Sequence, residues 1–507
     1  MRPSLVSLSR RRFLASTSMV LGAALVAACS SAAPASPTAA PAAPAAAAPT
    51  QAPAPTQAPA PTQAPAPTTA PAAAPTTAPA AAPTPAAQAA TTGGAQKKLT
   101  LIGWDYEPPL VKQNIDRFVQ ENPDLQVDYQ PISGEYLTAL IPKFQAKTPF
   151  DVVYVRDQYL AAWVDAQFLR PVDDFPEWKG LYNDLYGLNQ DQSTYKGKHW
   201  GTFYYTDFDI MSYNSKMLTD AGVAKAPNTL DELRSASEQV KKAGLAEFPL
   251  EVDWTKGSDS MWDYWMFVFA SGGHLLDENG APTYPEKDPV PLAILEWWVA
   301  AANDWKIVNV NADMQPAPQG VLSSFLSGKS AFLTDSRYDL EQDNAPERSR
   351  IAIEGKINGR FNLFPGLNAS SPRHTPGWTR LYGLTGHAQD PEAAWRLAYY
   401  MGGKDKAGTY YTAKRWWLLR SLGYAFKPLA EDAEVKAHTQ KFIHTDDLPL
   451  MAKAQDLAQK RDGLGFSWWT EWYVDLQAQI QEALLKKKTP KEALTASATK
   501  AQQLAKK

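Results

Sequence analysis

The sequence beyond residue 96 predicts an α/β fold built around a parallel, doubly wound sheet. Short apolar strands alternate there with helical segments, as a parallel sheet requires, because each crossover between parallel strands needs a helix. All 17 tryptophans lie in this part of the chain. The segment 97–507 is also long enough for two lobes that each bury a core of their own.

The first five elements of this segment follow one another at the spacing of such a sheet. Apolar runs predict strands at 99–104, 125–129 and 151–155. Apolar residues that share one helical face predict helices at 111–119 and 136–144. Strand, helix, strand, helix and strand in this order predict three neighbouring parallel strands.

Two loops follow the ends of the first and third predicted strands. Parallel sheets bind ligands beyond the carboxyl ends of their strands. Trp104 and Asp105 lie at the end of the first strand, and Arg156 and Asp157 lie at the end of the third. These four residues are therefore candidate ligand contacts.

The N-terminus resembles a bacterial export signal. Three arginines at 10–12 precede an apolar, small-residue stretch at 14–28, which predicts a signal peptide over residues 1–28. The stretch ends in Val-Ala-Ala-Cys, which resembles a lipobox and predicts lipidation of Cys29. Residues 9–14 also resemble the twin-arginine motif, so we expect export by the Tat route, with Sec export as the alternative.

Residues 29–96 predict a disordered tether that begins at the lipidated cysteine. The segment 30–96 consists almost entirely of Ala, Pro, Thr, Ser and Gln and contains no charged residue. Proline fixes φ and removes a hydrogen-bond donor, so this composition cannot build a sheet or a core. An extended spacer of this kind is expected to hold the folded segment near a membrane and leave it free to meet a partner.

Charge and cysteine content exclude several classes of protein. Subtracting the four arginines before Cys29 from the 50 basic residues leaves 46 against 53 acids, so a nucleic-acid partner is not indicated. A single cysteine excludes a disulfide scaffold and a Cys-based zinc site. No two of the six histidines lie three or four residues apart, so neither a helical metal pair nor a cofactor motif is predicted.

A series of short motifs runs through the folded segment. Residues 195–201 read Tyr-Lys-Gly-Lys-His-Trp-Gly, and residues 325–332 read Phe-Leu-Ser-Gly-Lys-Ser-Ala-Phe. Residues 390–395 and 489–494 read as helix starts, Asp-Pro-Glu-Ala-Ala-Trp and Thr-Pro-Lys-Glu-Ala-Leu. In this order they resemble the family 1 extracellular solute-binding proteins of ABC importers, over about residues 97–505. The resemblance implies a two-lobed periplasmic-binding-protein-like fold with crossover hinge segments and an interlobe cleft.

The family fold implies how the chain divides into its lobes. Lobe 1 is expected at about 97–207 and 381–425, and lobe 2 at about 208–380 and 426–507. A ligand that bridges both lobes favours the closed state, because only that state makes both sets of contacts. The expected crossings between the lobes are near Thr206–Ile210, near Gly377–Leu381 and within 420–435.

Further candidate contacts follow from the likeness to maltose-binding protein, a member of that family. Asp207 falls where this relative has an acidic ligand contact, and Trp262 falls where it has an aromatic one. Tyr338 and Trp472 fall where it has stacking tryptophans. A structural role, as a core aromatic residue or a turn-capping Asp, is the alternative for each. The second crossing adds two candidates, Trp378 and Arg380.

The resemblance implies a substrate-binding lipoprotein at the extracytoplasmic face of the cell membrane. It is expected to capture a sugar or oligosaccharide and deliver it to the permease subunits of an ABC transporter, as a monomer without enzymatic activity, cofactor or metal. Two alternatives stay open, namely a carbohydrate-active enzyme with an acidic pair and a ligand-sensing protein for a membrane receptor. The loop at 107–109, Glu-Pro-Pro, departs from maltose-binding protein, so maltose is not assumed.

Overall fold

The structure is a computed structural model that describes most of the chain beyond the predicted tether. The predicted signal peptide, the tether up to residue 95 with its Cys29, and the candidate contact Trp262 lie outside the described residues. Within the part that the structure describes, no helix is long and apolar enough to cross a membrane. The described residues are 96–134, 136–256, 263–310, 314, 320–353 and 356–506.

A mixed sheet organises the described residues. Ten of the strands form this sheet in the order β2-β1-β3-β11-β7-β9-β8, with β10 beside β7 and with β4 and β12 beside β11, while β5 and β6 form a separate pair. The strands are β1 Lys97–Trp104, β2 Leu125–Ile132, β3 Val152–Arg156, β4 Leu169–Arg170, β5 Thr194–Tyr195, β6 Lys198–His199, β7 Thr202–Asn214, β8 Leu250–Glu251, β9 Phe332–Ser336, β10 Gly359–Asn362, β11 Thr375–Thr385 and β12 Ala458–Gln459.

Seventeen α-helices make up much of the remaining described chain. Short 3₁₀ turns occupy Arg337–Asp339, Lys427–Glu431 and Thr445–Asp447. The α-helices are α1 Pro108–Glu121, α2 Tyr136–Gln145, α3 Asp157–Asp165, α4 Glu177–Asn183, α5 Gly187–Gln192, α6 Ser215–Asp220, α7 Leu230–Lys242, α8 Asp263–Ala270, α9 Val290–Asn303, α10 Gly320–Leu326, α11 Leu340–Asp343, α12 Pro391–Gly402, α13 Tyr411–Arg420, α14 Ala433–Thr439, α15 Leu448–Leu457, α16 Trp469–Leu484 and α17 Pro490–Ala505.

The first five elements, β1-α1-β2-α2-β3, confirm the predicted order. β1 is parallel to both β2 and β3, with Leu101 opposite Tyr129 on one side and Val152 on the other. The helices bury the apolar faces that the spacing predicted, including Phe118 of α1 and Phe144 of α2. This part of the sheet is therefore a parallel, doubly wound unit whose strand ends point to one edge.

β7 joins the two halves of the sheet. Its first half is antiparallel to β11, which in turn pairs with β3. Its second half is antiparallel to β9 and to β10. Because one continuous strand belongs to both halves, the sheet passes from the first lobe to the second without a break.

Two apolar cores lie on either side of this junction and define a two-lobed α/β fold. The first core runs to Ile210 and resumes from Leu381 to Ala458. The second core begins at Met211, includes Trp378 and resumes at Leu464. The first core also takes in three apolar residues from the middle of the chain, Leu340, Phe361 and Leu363.

The third crossing between the cores lies later in the chain than the expected segment 420–435. Leu422 and Phe426 belong to the first core, and the chain leaves that core only between Ala458 and Leu464. The segment nevertheless touches the junction, because the backbone N–H of Thr206 in β7 donates to the carbonyl of Gly423 at 3.1 Å. The first lobe consequently extends to about residue 458 and not to 425.

Two of the motifs noted in the sequence begin helices, as predicted. Asp390 caps α12 by accepting a hydrogen bond from the backbone N–H of Ala393, and a proline occupies the first helical position. Thr489 and Glu492 form a reciprocal capping box at the start of α17. The caps fix where each helix begins. Both helices bury apolar residues in the cores.

Candidate functional site

A cavity of about 440 Å³ lies where the two cores meet. Trp104 and Arg156, at the carboxyl ends of β1 and β3, contribute to its lining. This is the edge at which a parallel sheet presents the ends of its strands. The volume falls within the range of about 300–1,000 Å³ that small-molecule sites have. We therefore take this cavity as the candidate functional site.

An aromatic surface forms the side of the cavity that belongs to the first core. The ring of Trp104 stacks on that of Tyr106, with centroids 5.1 Å apart and planes 11° from parallel. Tyr154 lies behind Trp104 at 6.0 Å, and the Arg156 guanidinium lies 5.9 Å from the Trp104 ring. A flat, partly exposed indole held by neighbours in this way suits stacking on the apolar face of a ring.

Two more aromatic residues line the cavity near the crossings. Trp378 lies on β11 opposite Asp207 of β7 and is 5% exposed. Tyr338 lies in the 3₁₀ turn directly after β9 and also lines the cavity. The sequence proposed both residues as contacts, and the structure brings them to the same cavity as Trp104.

Aspartates form the opposite side of the cavity. Asp209 of β7, Asp253, Asp263 at the start of α8 and Asp335 of β9 all line it. Burial, reinforced by the nearby Asp253 carboxylate, raises the pKa of Asp263 to about 8. Burial and the neighbouring Asp263 carboxylate also hold the pKa of Asp209 well above its ordinary value. Desolvation and mutual repulsion thus both disfavour the charged forms of these carboxyls.

A row of three aspartates at intervals of four residues continues inward from this wall. Asp335 lines the cavity, and Asp339 and Asp343 follow behind it, all three being buried. Burial raises the pKa of Asp339 to about 7 and that of Asp343 to about 8. The Ser212 hydroxyl donates to Asp343 Oδ2 at 2.8 Å. Carboxyl groups of this row are therefore protonated in part at neutral pH, where carboxyls on the surface would be ionised.

Arg380 and Asp157 form a buried ion pair beside the cavity. Arg380 Nη1 donates to Asp157 Oδ1 at 2.8 Å, and both side chains are almost fully buried. Arg461 lies on the other side of the same carboxylate, with its Nη2 atom 3.6 Å from Oδ2. Of the two paired residues that the sequence proposed as contacts, Arg380 lines this cavity and Asp157 lies behind it.

Asp207 lies in the interior and does not line the cavity. Its Oδ1 accepts a hydrogen bond from Arg337 Nε at 2.9 Å, and Arg337 is in turn held 5.0 Å from the rings of Phe208 and Trp417. Gly423 closes the site, since a Cβ atom there would lie 1.4 Å from Arg337 Nη2. These contacts give Asp207 a structural role at the junction of the lobes, which is the alternative that the sequence left open for it.

Trp472 also lies in the interior, at 0% exposure within the second core. Its ring packs against Trp265 and Trp468, and its Nε1–H donates to the Tyr284 hydroxyl at 3.2 Å. The core alternative therefore describes Trp472 better than a stacking contact. Asp105, the remaining predicted contact, accepts a hydrogen bond from the Ser133 hydroxyl and does not line the cavity.

The four aspartates of the cavity wall and Tyr205 were not predicted from the sequence as lining residues. One signal was available, because strand alternation puts Tyr205, Asp207 and Asp209 on one face of β7, and two of these three line the cavity. Asp253 and Asp263 come from separate segments of the second lobe, and no local pattern relates them. Among the described residues, no group of His, Cys, Asp or Glu is placed to hold a metal ion.

The chain belongs to the bacterial extracellular solute-binding protein family, whose model matches residues 104–408. The fold agrees with this membership, since the family resemblance implied two α/β lobes joined by crossing segments. The family model describes its members as solute-binding proteins, and this is the class to which the chain belongs.

Solved structures of the same fold cover most of this chain. MalE3 of T. maritima with maltose bound has a TM-score of 0.67 at 19% identity and covers 80% of this chain and 99% of its own. The GacH receptor of Streptomyces glaucescens, solved unliganded and with acarbose, has a TM-score of 0.65 at 17% identity, with 82% and 99% covered. An ABC transporter solute-binding protein of Agrobacterium radiobacter K84 with ribitol has a TM-score of 0.64 at 18% identity, with 80% and 98% covered.

Proposed function

We propose that this protein captures a carbohydrate or polyol in the cavity between its lobes and delivers it to the permease of an ABC transporter. The observation that carries the proposal is a cavity of about 440 Å³ that combines flat aromatic side chains with a wall of hydrogen-bonding carboxyl groups. Sugars need both, because their ring faces are apolar and their hydroxyls must exchange water for fixed polar partners. Maltose, acarbose and ribitol in the structural relatives support this ligand class.

Different lining residues contact different parts of the proposed ligand. Trp104, Tyr338 and Trp378 offer ring faces for stacking. Arg156 and Arg380 are donors to ligand hydroxyls. The aspartates of the opposite wall accept hydrogen bonds from other hydroxyls when ionised, and donate when protonated.

Closure of the lobes follows from the placement of these groups. Trp104 and Arg156 belong to the first lobe, whereas Asp263 and Asp335 belong to elements of the second. A ligand that touches both sets stabilises the arrangement in which they approach each other. We propose that the crossings, including the one at 458–464, absorb the movement and that the closed form is the one a permease recognises.

The anchor belongs to the same proposal. Cys29, after a lipobox-like Val-Ala-Ala, carries lipid, and the uncharged tether lets the folded lobes reach a permease in the same membrane. The proposed location is the extracytoplasmic face of the cell membrane, and the proposed working unit is one chain.

One observation favours the enzyme alternative as a second candidate. Asp263 lines the cavity with a pKa raised to about 8, which would suit a general acid for glycoside cleavage. Incubation with a panel of nitrophenyl glycosides decides between the two functions. Turnover that Asp263→Asn abolishes would establish the enzyme, whereas binding without turnover supports the transport protein.

A thermal-shift screen of the purified protein against sugars, polyols and glycosides tests the proposal. A ligand present at 100 times its dissociation constant should add about 2.7 kcal/mol to stability. Stabilisation by a sugar or polyol, lost in Trp104→Ala, supports the assignment. No stabilisation by any sugar or polyol at millimolar concentration would refute carbohydrate capture.

A further inference from the structure

Acidic side chains outnumber basic ones among the described residues that line the cavity. Among the described residues that line it, four are aspartates, whereas the positively charged ones are Arg156 and Arg380. Arg380 is already paired with Asp157 at 2.8 Å, so its charge is largely compensated. The acidic side chains therefore have few basic partners in the lining, and a cationic group on a ligand would favour their ionised forms.

Asp209 carries an oxygen that no group in the described structure satisfies. Asp209 lines the cavity and is only 2% exposed. Its Oδ2 atom is buried and has no hydrogen-bond partner among the described residues. The Oδ1 atom has one long contact, with the Ser336 hydroxyl at 3.4 Å. Arg461 attracts this carboxylate from the third crossing, while Asp263 repels it. A buried acceptor left open in this way is costly unless a ligand supplies a donor.

A compact metal ion is a poor partner for this unsatisfied oxygen of Asp209. A divalent cation needs several oxygen ligands converging on one point, and the described residues contain no such group. The wall instead spreads its carboxylates over β7, β9, α8 and the segment that holds Asp253. An extended organic ligand with one cationic substituent matches this distribution better, because its ring occupies the aromatic side and its charge faces the aspartates.

We propose that the cavity takes an aminated carbohydrate or polyol whose protonated amine binds Asp209, with Asp253 and Asp263 beside it, and whose ring faces Trp104. This inference rests on the proposed carbohydrate-binding function and narrows its ligand class. An ammonium group supplies three donors and a full positive charge, and both improve the environment of a buried, open carboxylate. A neutral hydroxyl in the same position would supply one donor and no charge.

Calorimetric titration of the purified full-length chain with matched ligand pairs tests the proposal. Glucose is compared with its 2-amino, 3-amino and 6-amino analogues, and cellobiose with the β-1,4-linked dimer of glucosamine. At least one amine should bind about 10- to 100-fold more tightly than its hydroxyl partner, as expected for a charge-assisted hydrogen bond. Asp209→Asn should remove most of that advantage, so that in this variant the amine and its hydroxyl partner bind with affinities within a few-fold of each other.

A matched variant controls for the change in net charge. Asp304→Asn removes the same charge from an exposed site that does not line the cavity, and the preference for the amine should persist in it. Circular dichroism shows whether each variant is folded. The comparison of each amine with its hydroxyl partner on the unaltered chain does not depend on any variant.

Three outcomes would count against the inference, and they are distinguishable. If neutral sugars bind as tightly as their amines, the amine preference is wrong and carbohydrate capture stands. If amines are preferred equally in Asp209→Asn, the amine lies elsewhere and the assignment to Asp209 is wrong. If neither sugars, polyols nor their amines bind, the proposed function fails together with this inference.

Discussion

Truncating one tryptophan from the cavity and another from the core should separate binding from stability. Trp104→Ala removes a partly exposed ring that lines the cavity and stacks on Tyr106. Trp472→Ala removes a ring at 0% exposure from the second core, together with its hydrogen bond to Tyr284. The two substitutions are chemically identical, so differences between them report the two environments.

The structure sets the expected magnitudes. Loss of a fully buried Trp leaves a cavity and should lower the free energy of unfolding by about 3–5 kcal/mol. For Trp472 this includes the loss of its hydrogen bond to the Tyr284 hydroxyl, which keeps its contact with the Ser497 hydroxyl at 3.1 Å. Trp472→Phe would lose the same hydrogen bond and keep most of the ring volume. Loss of Trp104 should lower the free energy of unfolding by about 1 kcal/mol. It should weaken ligand binding by about 2 kcal/mol, or roughly 30-fold, if the ring stacks on the ligand.

Two measurements on each variant check these values. Denaturant unfolding of the ligand-free protein gives the change in stability, and calorimetric titration with the ligand found in the sugar screen gives the affinity of the folded fraction. We expect Trp472→Ala to lose stability and to keep its affinity, and Trp104→Ala to do the reverse. A large loss of affinity in Trp472→Ala at normal stability would refute the core assignment and restore a stacking role for that residue.

Three further predictions concern the buried carboxyls and the anchor. The pKa of Asp263, raised from 3.8 to about 8, means that its contribution to stability is full below about pH 4 and is lost as pH rises through 8. Between pH 5 and 7 this carboxyl should make the free energy of unfolding decline by up to about 1.4 kcal/mol per pH unit, and Asp263→Asn should remove that decline. The surface variant Asp304→Asn should keep the decline. Equal pH profiles of stability for the two variants would contradict the raised pKa of Asp263. Asp207→Ala should lower the free energy of unfolding by about 3–5 kcal/mol, because it leaves Arg337 buried without its partner; adding Arg337→Met should recover part of this loss in denaturant unfolding, and no recovery would rule out the ion pair as the cause. Cys29→Ala should move the protein from the membrane fraction to the soluble fraction in cell fractionation with unchanged ligand affinity, and retention of the variant in the membrane would exclude a lipid anchor at this residue.

The parallel part of the sheet was predictable because its signals are local. The apolar runs of β1, β2 and β3 and the helical faces between them can be read from neighbouring residues, and the parallel order follows from the helical crossovers. Trp104 and Arg156 could be placed at the cavity for the same reason, since their positions depend only on where the strands end.

The rest of the site depends on partners that are distant in sequence. Asp207 is covered by Arg337, which lies 130 residues away, and Trp472 is covered by a core that includes Tyr284. No local pattern in the sequence predicts this burial, so an alignment to the ligand contacts of a relative could not show that both residues lie in the interior. The third crossing was expected from the family resemblance within 420–435. Gly423 does contact β7, but Leu422 and Phe426 beside it belong to the first core, which depends on packing that the sequence does not show.

A crystal structure of the protein with the ligand that stabilises it most tests the central claim most directly. The account predicts ligand density in the cavity between the lobes, with the ring against Trp104 and polar atoms within hydrogen-bond distance of Asp209. Trp378 should also contact the ligand, because it lines the same cavity from the second crossing. A ligand bound at another surface, or a cavity filled by water alone in protein that the ligand stabilises in solution, would contradict the account.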